Sequence, residues 1–243
     1  MKINQSELRS FFYGTLLGDS YIHNGIFYCK QISKDLILFK QKIINQCLPD
    51  ARCTVKEYEA YIDKNGVHHQ KFWWLTAHGE YIKQLEKLFY PEGKKVIPKG
   101  IISKLTPLGL AIWYADDGTT ILVGKNPNTQ GANSRRIQIC TDCFNLEELN
   151  QAIQEFNSLG YQISLLHRKD QMYRIQFSVM EGQKFICNIA DYFYNYFPSL
   201  LHKMDLGYRN ESLKKRKYVS EEYDCLYTKI SACPDFLDRL KSR

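Results

Sequence analysis

The stretch Thr106–Gly118, TPLGLAIWYADDG, restricts the fold more than any other part of the chain. Thr106 suits a helix N-cap, and Pro107 suits the first helical position, where a missing N–H costs nothing. From Leu108 to Ala115 every helical face is apolar, so the helix must be buried on all sides. It ends in two adjacent acids, Asp116 and Asp117, with Gly118 placed to terminate it. A helix C-terminus is partially negative, so two carboxylates there repel it and each other. Positive charge has to come from elsewhere, and a divalent cation is the simplest source.

The pattern occurs twice. Phe11–Ser20, FFYGTLLGDS, is another apolar run whose end carries an acid, Asp19. Two buried helices that each deliver a carboxylate predict a duplicated architecture with one site at the junction. Gly14 and Gly18 lie one turn apart, leaving a stripe without side chains that permits close helix packing.

The rest of the chain fits a repeat. Asn4 or Ser6 can cap the first helix, which runs through Leu17. Asn24-Gly25 predicts a tight hairpin between Ser20–His23 and Ile26–Ser33. Leu36, Phe39, Ile43 and Cys47 have helical spacing ahead of Pro49. A second hairpin, Arg52–Ile62 with Gln70–Ala77, turns at Asp63–Gly66, and Gly79–Tyr90 reads as an amphipathic helix. After Gly118 the order returns: strand Thr119–Gly124, polar loop Lys125–Ser134, strand Arg135–Asp142 and a helix from Asn145 to Leu159. The strands Tyr161–Arg168 and Met172–Met180 follow, turning at Lys169–Gln171, and then the helix Glu181–Phe197. The remaining segment holds the basic run Lys214–Lys217.

Phe12–Ser20 and Leu110–Gly118 resemble the two signature motifs of the LAGLIDADG homing endonucleases, in the branch that carries both motifs in one chain; the acid at the eighth position is Asp19 or Asp117. The resemblance implies an α+β fold of two pseudo-symmetric αββαββα repeats, 1–105 and 106–205, followed by a basic, helical extension, 206–243. The motif helices would pack at the centre and the sheets would form a DNA-binding β-saddle. It implies a monomeric endonuclease cutting both strands of a long, non-palindromic DNA target. Asp19 and Asp117 would be catalytic and metal-binding, with Gly18 and Asp116 beside the metal. Mg²⁺ is the implied cofactor, Mn²⁺ a substitute, and Ca²⁺ an ion supporting binding without cleavage. The segments GKKVIP and FPSLLHKM resemble those that carry a catalytic lysine in each half, which points to Lys95 and Lys203. The second motif departs from the pattern: Ile112 and Asp116 occupy positions that favour small residues, while Ala111 and Ala115 are offset by one. An asymmetric helix crossing is therefore expected, and Asp116 competes with Asp117 as ligand.

Strand alternation then sorts side chains by face. Arg136, Gln138 and Cys140 share one side, Arg174 and Gln176 another, and Arg52, Thr54 and Lys56 a third. Arg and Gln are the side chains that pair bidentately with guanine and adenine in the major groove. With Tyr28, Lys30, Lys71, Ser164 and Arg168 they form the expected DNA-contacting set.

Composition is compatible with a polyanionic partner: the net charge is +7, with pI about 8.9. No apolar run approaches the ~20 residues of a membrane span. The N-terminus lacks the apolar core of a secretory signal, so an intracellular setting is expected, either prokaryotic or phage-infected cytoplasm or an organelle matrix, with the eight cysteines reduced. Cys140-x-x-Cys143 has the spacing of half a zinc site, but no second pair follows. Two other readings remain open: an RNA-binding maturase acting on an intron, and an inactive DNA-binding protein of the same fold.

Overall fold

A computed structural model describes residues 2–122, 135–168, 172–206 and 220–231. The first half runs α1 (Gln5–Leu17), β1 (Ser20–His23), β2 (Ile26–Gln31), α2 (Lys34–Cys47), β3 (Thr54–Tyr58), β4 (Tyr61–Ile62), β5 (His68–His69), β6 (Phe72–His78) and α3 (Glu80–Phe89). The second runs α4 (Pro107–Asp117), β7 (Gly118–Leu122), β8 (Arg135–Ile139), α5 (Leu146–Ser158), β9 (Ile163–His167), β10 (Tyr173–Phe177) and α6 (Val179–Tyr196). A final helix, α7 (Glu221–Ser231), packs on α6.

Each half builds an antiparallel four-stranded sheet, in the order β1-β2-β6-β3 or β7-β8-β10-β9. The orders are equivalent strand for strand, one hydrogen-bonded sheet to each half. Local chemistry explains most boundaries. Asn4 and Glu7 form a reciprocal capping box on α1, and Asn145 and Glu148 do so on α5. Asn24 and Gly25 both have positive φ, as the tight turn between β1 and β2 requires.

Several expected boundaries move. The strand expected over Arg52–Ile62 stops at Tyr58, where its pairing to β6 ends opposite Phe72. Tyr61–Ile62 pairs instead with His68–His69, in a ribbon whose loop closes on the Asp63 carboxylate through the N–H groups of Asn65 and Val67. β8 stops at Ile139, because the Cys140 N–H turns to the Asp117 carbonyl. Thr106 does not cap α4 with its side chain; its hydroxyl and its N–H both donate to Ser10 Oγ on α1. The loop Lys125–Ser134, the turn Lys169–Gln171 and the run Lys214–Lys217 lie outside the described residues.

The two motif helices, α1 and α4, form the central contact of the molecule. A Cβ on Gly14 would stand 2.7 Å from the Gly109 carbonyl carbon and 2.9 Å from its Cα. Backbone therefore touches backbone, and the partner of Gly14 is Gly109, not the offset Ala111 or Ala115. Further along, a Cβ on Gly18 would fall 2.6 Å from the Asp116 carboxylate. The crossing is asymmetric because Asp116, the first of the two adjacent acids of one motif, fills the space left by a glycine of the other. Helix propensity alone would make Gly14→Ala stabilising by about 1 kcal/mol. The backbone contact reverses the sign, so we expect Gly14→Ala to lower stability by ~1–3 kcal/mol or more, measured by urea denaturation.

Candidate active site

α1 and α4 end side by side, bringing three carboxylates and three lysines together. Asp19 follows α1 and is exposed, whereas Asp116 and Asp117 close α4. The side chains of Asp116 and Lys40, which lies on α2 in the first half, are fully buried. Lys40 Nζ donates to both Asp116 oxygens at 2.8 Å. Gln31 Nε2, at the end of β2, donates to Asp116 Oδ1 at 2.8 Å and to Asp19 Oδ2 at 3.1 Å. Burial pulls the Lys40 pKa down, but the adjacent Asp116 carboxylate outweighs this and holds it above the ordinary lysine range. Asp116 is thus the acid of an internal ion pair, with both oxygens occupied.

Asp117 is in the opposite situation. Its carboxylate accepts no hydrogen bond from the described residues, and burial, followed by the charges of Asp19 and Asp116, pushes its pKa up to about 8.

The lysines of the two tail segments reach the helix ends. Lys95 Nζ donates to the carbonyls of Gly18, at 2.7 Å, and Ser20, at 3.0 Å. Lys203, in the 3₁₀ turn Pro198–Met204, donates to those of Ala115, at 2.6 Å, and Asp116, at 3.2 Å. Each ammonium satisfies the negative end of the motif helix in its own half. The positive charge missing from the sequence pattern is therefore supplied first by lysines. An ammonium has three N–H donors, so one on each lysine is left over. Burial lowers both pKa values below the ordinary lysine value. The Gly18 carbonyl, expected beside a metal, receives Lys95.

Each lysine segment is tied to the opposite half. Ile97 N–H donates to Glu148 on α5, and the Gly100 and Ser103 N–H groups donate to Glu155, about two turns further on. Ser199 N–H donates to Asp35 on α2 at 2.7 Å. Sequence reasoning missed Asp35, Glu148 and Glu155 in this role, together with Gln31, Lys40 and Gly109.

As for cations, two carboxylates face the junction: exposed Asp19, and Asp117, which has no hydrogen-bond partner among the described residues. Among the described residues, no three His, Cys, Asp or Glu side chains form a cage. Two carboxylates fit Mg²⁺, which keeps water and substrate phosphates as its other ligands. Without a cation, a carboxyl raised from 3.8 to about 8 binds a proton in the folded chain that the unfolded chain has released. Stability then falls as pH rises from about 4 to about 8. We expect the melting temperature of metal-free protein to drop by several degrees more over this window than that of Asp117→Asn, measured by calorimetry.

The outer sheet faces carry most of the expected DNA-contacting residues. Tyr28, Lys30, Thr54 and Lys56 share one side of the first sheet, and exposed Arg52 precedes β3 in the same alternation. Lys71 does not join them. It lies on the other side, paired to Glu57 and Glu59 beside the Trp73 ring. In the second sheet, register aligns Ser164, Gln176, Gln138 and Thr119 across all four strands. Gln138 is only 2% exposed, and its amide nitrogen donates to Gln176 Oε1 at 3.1 Å, so it supports Gln176 instead of reaching outward. Arg174 is held by Asp142 through two hydrogen bonds, of 3.1 and 2.7 Å. Arg136 is partly buried and Arg168 exposed.

The homing endonuclease I-WcaI, solved bound to its DNA recognition sequence, shares this fold: TM-score 0.68 at 18% identity, covering 85% of this chain and 89% of that one. The cytochrome b mRNA maturase bI2 of Debaryomyces hansenii is 27% identical over 153 residues, 60% of this chain and 53% of the maturase. The RecA protein of Mycobacterium leprae is 28% identical over 147 residues, 54% of this chain and 18% of RecA. The chain thus spans about half the length of the maturase and under a fifth of that RecA. The sequence model of the LAGLIDADG DNA endonuclease family matches residues 9–185. Because that match runs from α1 into α6, it takes in both motif helices and both sheets, and the chain belongs to the LAGLIDADG DNA endonuclease family.

Proposed function

We propose that this chain is a Mg²⁺-dependent, site-specific endonuclease that hydrolyses both strands of a long, non-palindromic DNA duplex as a monomer. The observation that carries the reading is the paired ending of α1 and α4: two carboxylates that form no ion pair among the described residues, each next to a partly buried lysine with a spare N–H. Asp19 and Asp117 would hold divalent metal, which supplies an activated water and neutralises charge building on phosphorus. Gln31 fixes the Asp19 oxygen. Lys95 and Lys203 each offer one N–H to a phosphate oxygen or to the attacking water. Mn²⁺ should substitute, and Ca²⁺ should support binding alone.

The sheets supply recognition, since a ribbon of strands fits the major groove. Arg174 has its guanidinium aimed by Asp142, so Arg174→Ala should lose base preference at one position, at a cost of ~1–3 kcal/mol for that base. Gln176→Ala should do the same at a neighbouring position. The test is selection of cleaved sites from a randomised duplex library in Mg²⁺, repeated with each variant. Uniform loss across all sequences would remove Arg174 from base readout. Tight binding to structured RNA with no duplex cleaved would favour a maturase instead.

A further inference from the structure

The two sheets differ in chemistry on their outer faces. The second carries the polar row described above. The first carries rings. Tyr21 and Tyr28 are cross-strand partners stacked at 4.9 Å, and Trp74 lies 6.0 Å from Tyr28. Tyr58 and Phe72, also partners, stack at 4.9 Å with their planes only 6° apart. Lys30 Nζ sits 4.2 Å above the Phe72 ring. Most of these rings lie outside the core: Phe27, Cys29, Leu75 and Ala77 of β2 and β6 fill the buried side, and Tyr21 and Tyr58 remain 41% and 42% exposed, while Phe72 is buried against Tyr58 and Lys30.

A rigid, partly exposed aromatic strip calls for an apolar partner. Exposed Lys30 and Lys56 on the same face call for an anionic one. In the major groove the apolar group on a base edge is the thymine C5-methyl, framed by phosphates. Single strands are bound differently, by sandwiching unstacked bases against open ring faces. Here stacking already takes one face of each of Tyr21, Tyr28, Tyr58 and Phe72, and Trp74 is tilted 60° against Tyr28, so the strip presents ring edges as well as faces. Edges suit methyl contact.

We infer that the first half of the chain reads its half of the duplex through thymine methyl groups, with Trp74 and Tyr28 as the central contacts, while the second half reads by hydrogen bonds. The inference rests on the duplex-binding function proposed above. One half-site should be thymine-rich at fixed positions, and the other should not.

The test uses binding in Ca²⁺, so that it does not depend on cleavage. A duplex selected for binding is remade with uracil replacing thymine, which removes only the methyl, in one half-site at a time. We expect affinity to fall about fourfold per contacted methyl in one half-site and less than about twofold in the other. Trp74→Ala should abolish the uracil effect and Trp74→Phe should keep it. Unaltered base preference in the other half-site serves as the control for folding. Equal uracil effects in both half-sites, no effect in either, or an effect that survives Trp74→Ala would overturn the inference with duplex binding intact. Failure to select any duplex would overturn the underlying function as well. Preference for single-stranded over duplex DNA would make the strip a stacking platform and overturn the methyl reading.

Discussion

Asp117→Asn is expected to lower double-strand cleavage by about 10³-fold or more while leaving affinity for the selected duplex in Ca²⁺ intact or tighter. Asparagine keeps the shape of the side chain and removes the charge that would hold a divalent ion. Asp117 is also crowded by Asp19 and Asp116, whose charges add to burial in raising its pKa. Where the carboxyl is ionised, removing its charge relieves that repulsion and the repulsion toward approaching phosphates, so any gain in affinity should grow as the pH rises toward 8. Asp19→Asn should abolish cleavage similarly, with a smaller gain in affinity because Asp19 is exposed and already accepts from Gln31. Rates of nicking and linearisation of a supercoiled plasmid carrying the target separate the two strands. If Asp117→Asn linearised the plasmid at the wild-type rate, Asp117 would have no part in holding metal.

Lys40→Met has the second large expected effect, and it falls on stability. The Lys40–Asp116 pair has no solvent exposure on either side chain and joins α2 of one half to α4 of the other. Removing one partner strands a buried charge, at a cost of ~3–5 kcal/mol. For a chain of this size that is a fall of very roughly 6–20 °C in melting temperature. Asp116→Asn leaves the ammonium near Cys29, at 3.4 Å, and should also destabilise. The double variant Lys40→Met/Asp116→Asn should recover much of the loss, because no net charge is then buried. Denaturant unfolding of the three variants tests this. Additive losses in the double variant would mean that the two groups are not coupled.

Local sequence carried much of the architecture. The all-apolar runs ending in acids identified α1 and α4, because a helix without a polar face must be central. Asn24-Gly25, Asn145 with Glu148, and the strand alternation placed most elements in order, since turns, caps and pleats are set by residues close in the chain. The lysine segments were legible only through family resemblance; nothing in GKKVIP itself says that Lys95 meets the Gly18 carbonyl.

Tertiary structure decided which charge meets which. Lys40 continues the stripe of Leu36 and Ile43, so a lysine in a core position was visible, but its partner lies 76 residues away on another helix. Gln31 likewise occupies a core-facing position of β2, yet its two acids come from different motifs. Asp116 and Asp117 are neighbours of one residue type, and no local rule distinguishes them. Their roles diverge because the absent side chain of Gly18 makes room for Asp116 beside Lys40, while Asp117 forms no ion pair with a cation among the described residues. Helices and hairpins follow from neighbours in sequence; the balance of buried charge depends on distances across the helix interface, which exist only once the halves have packed.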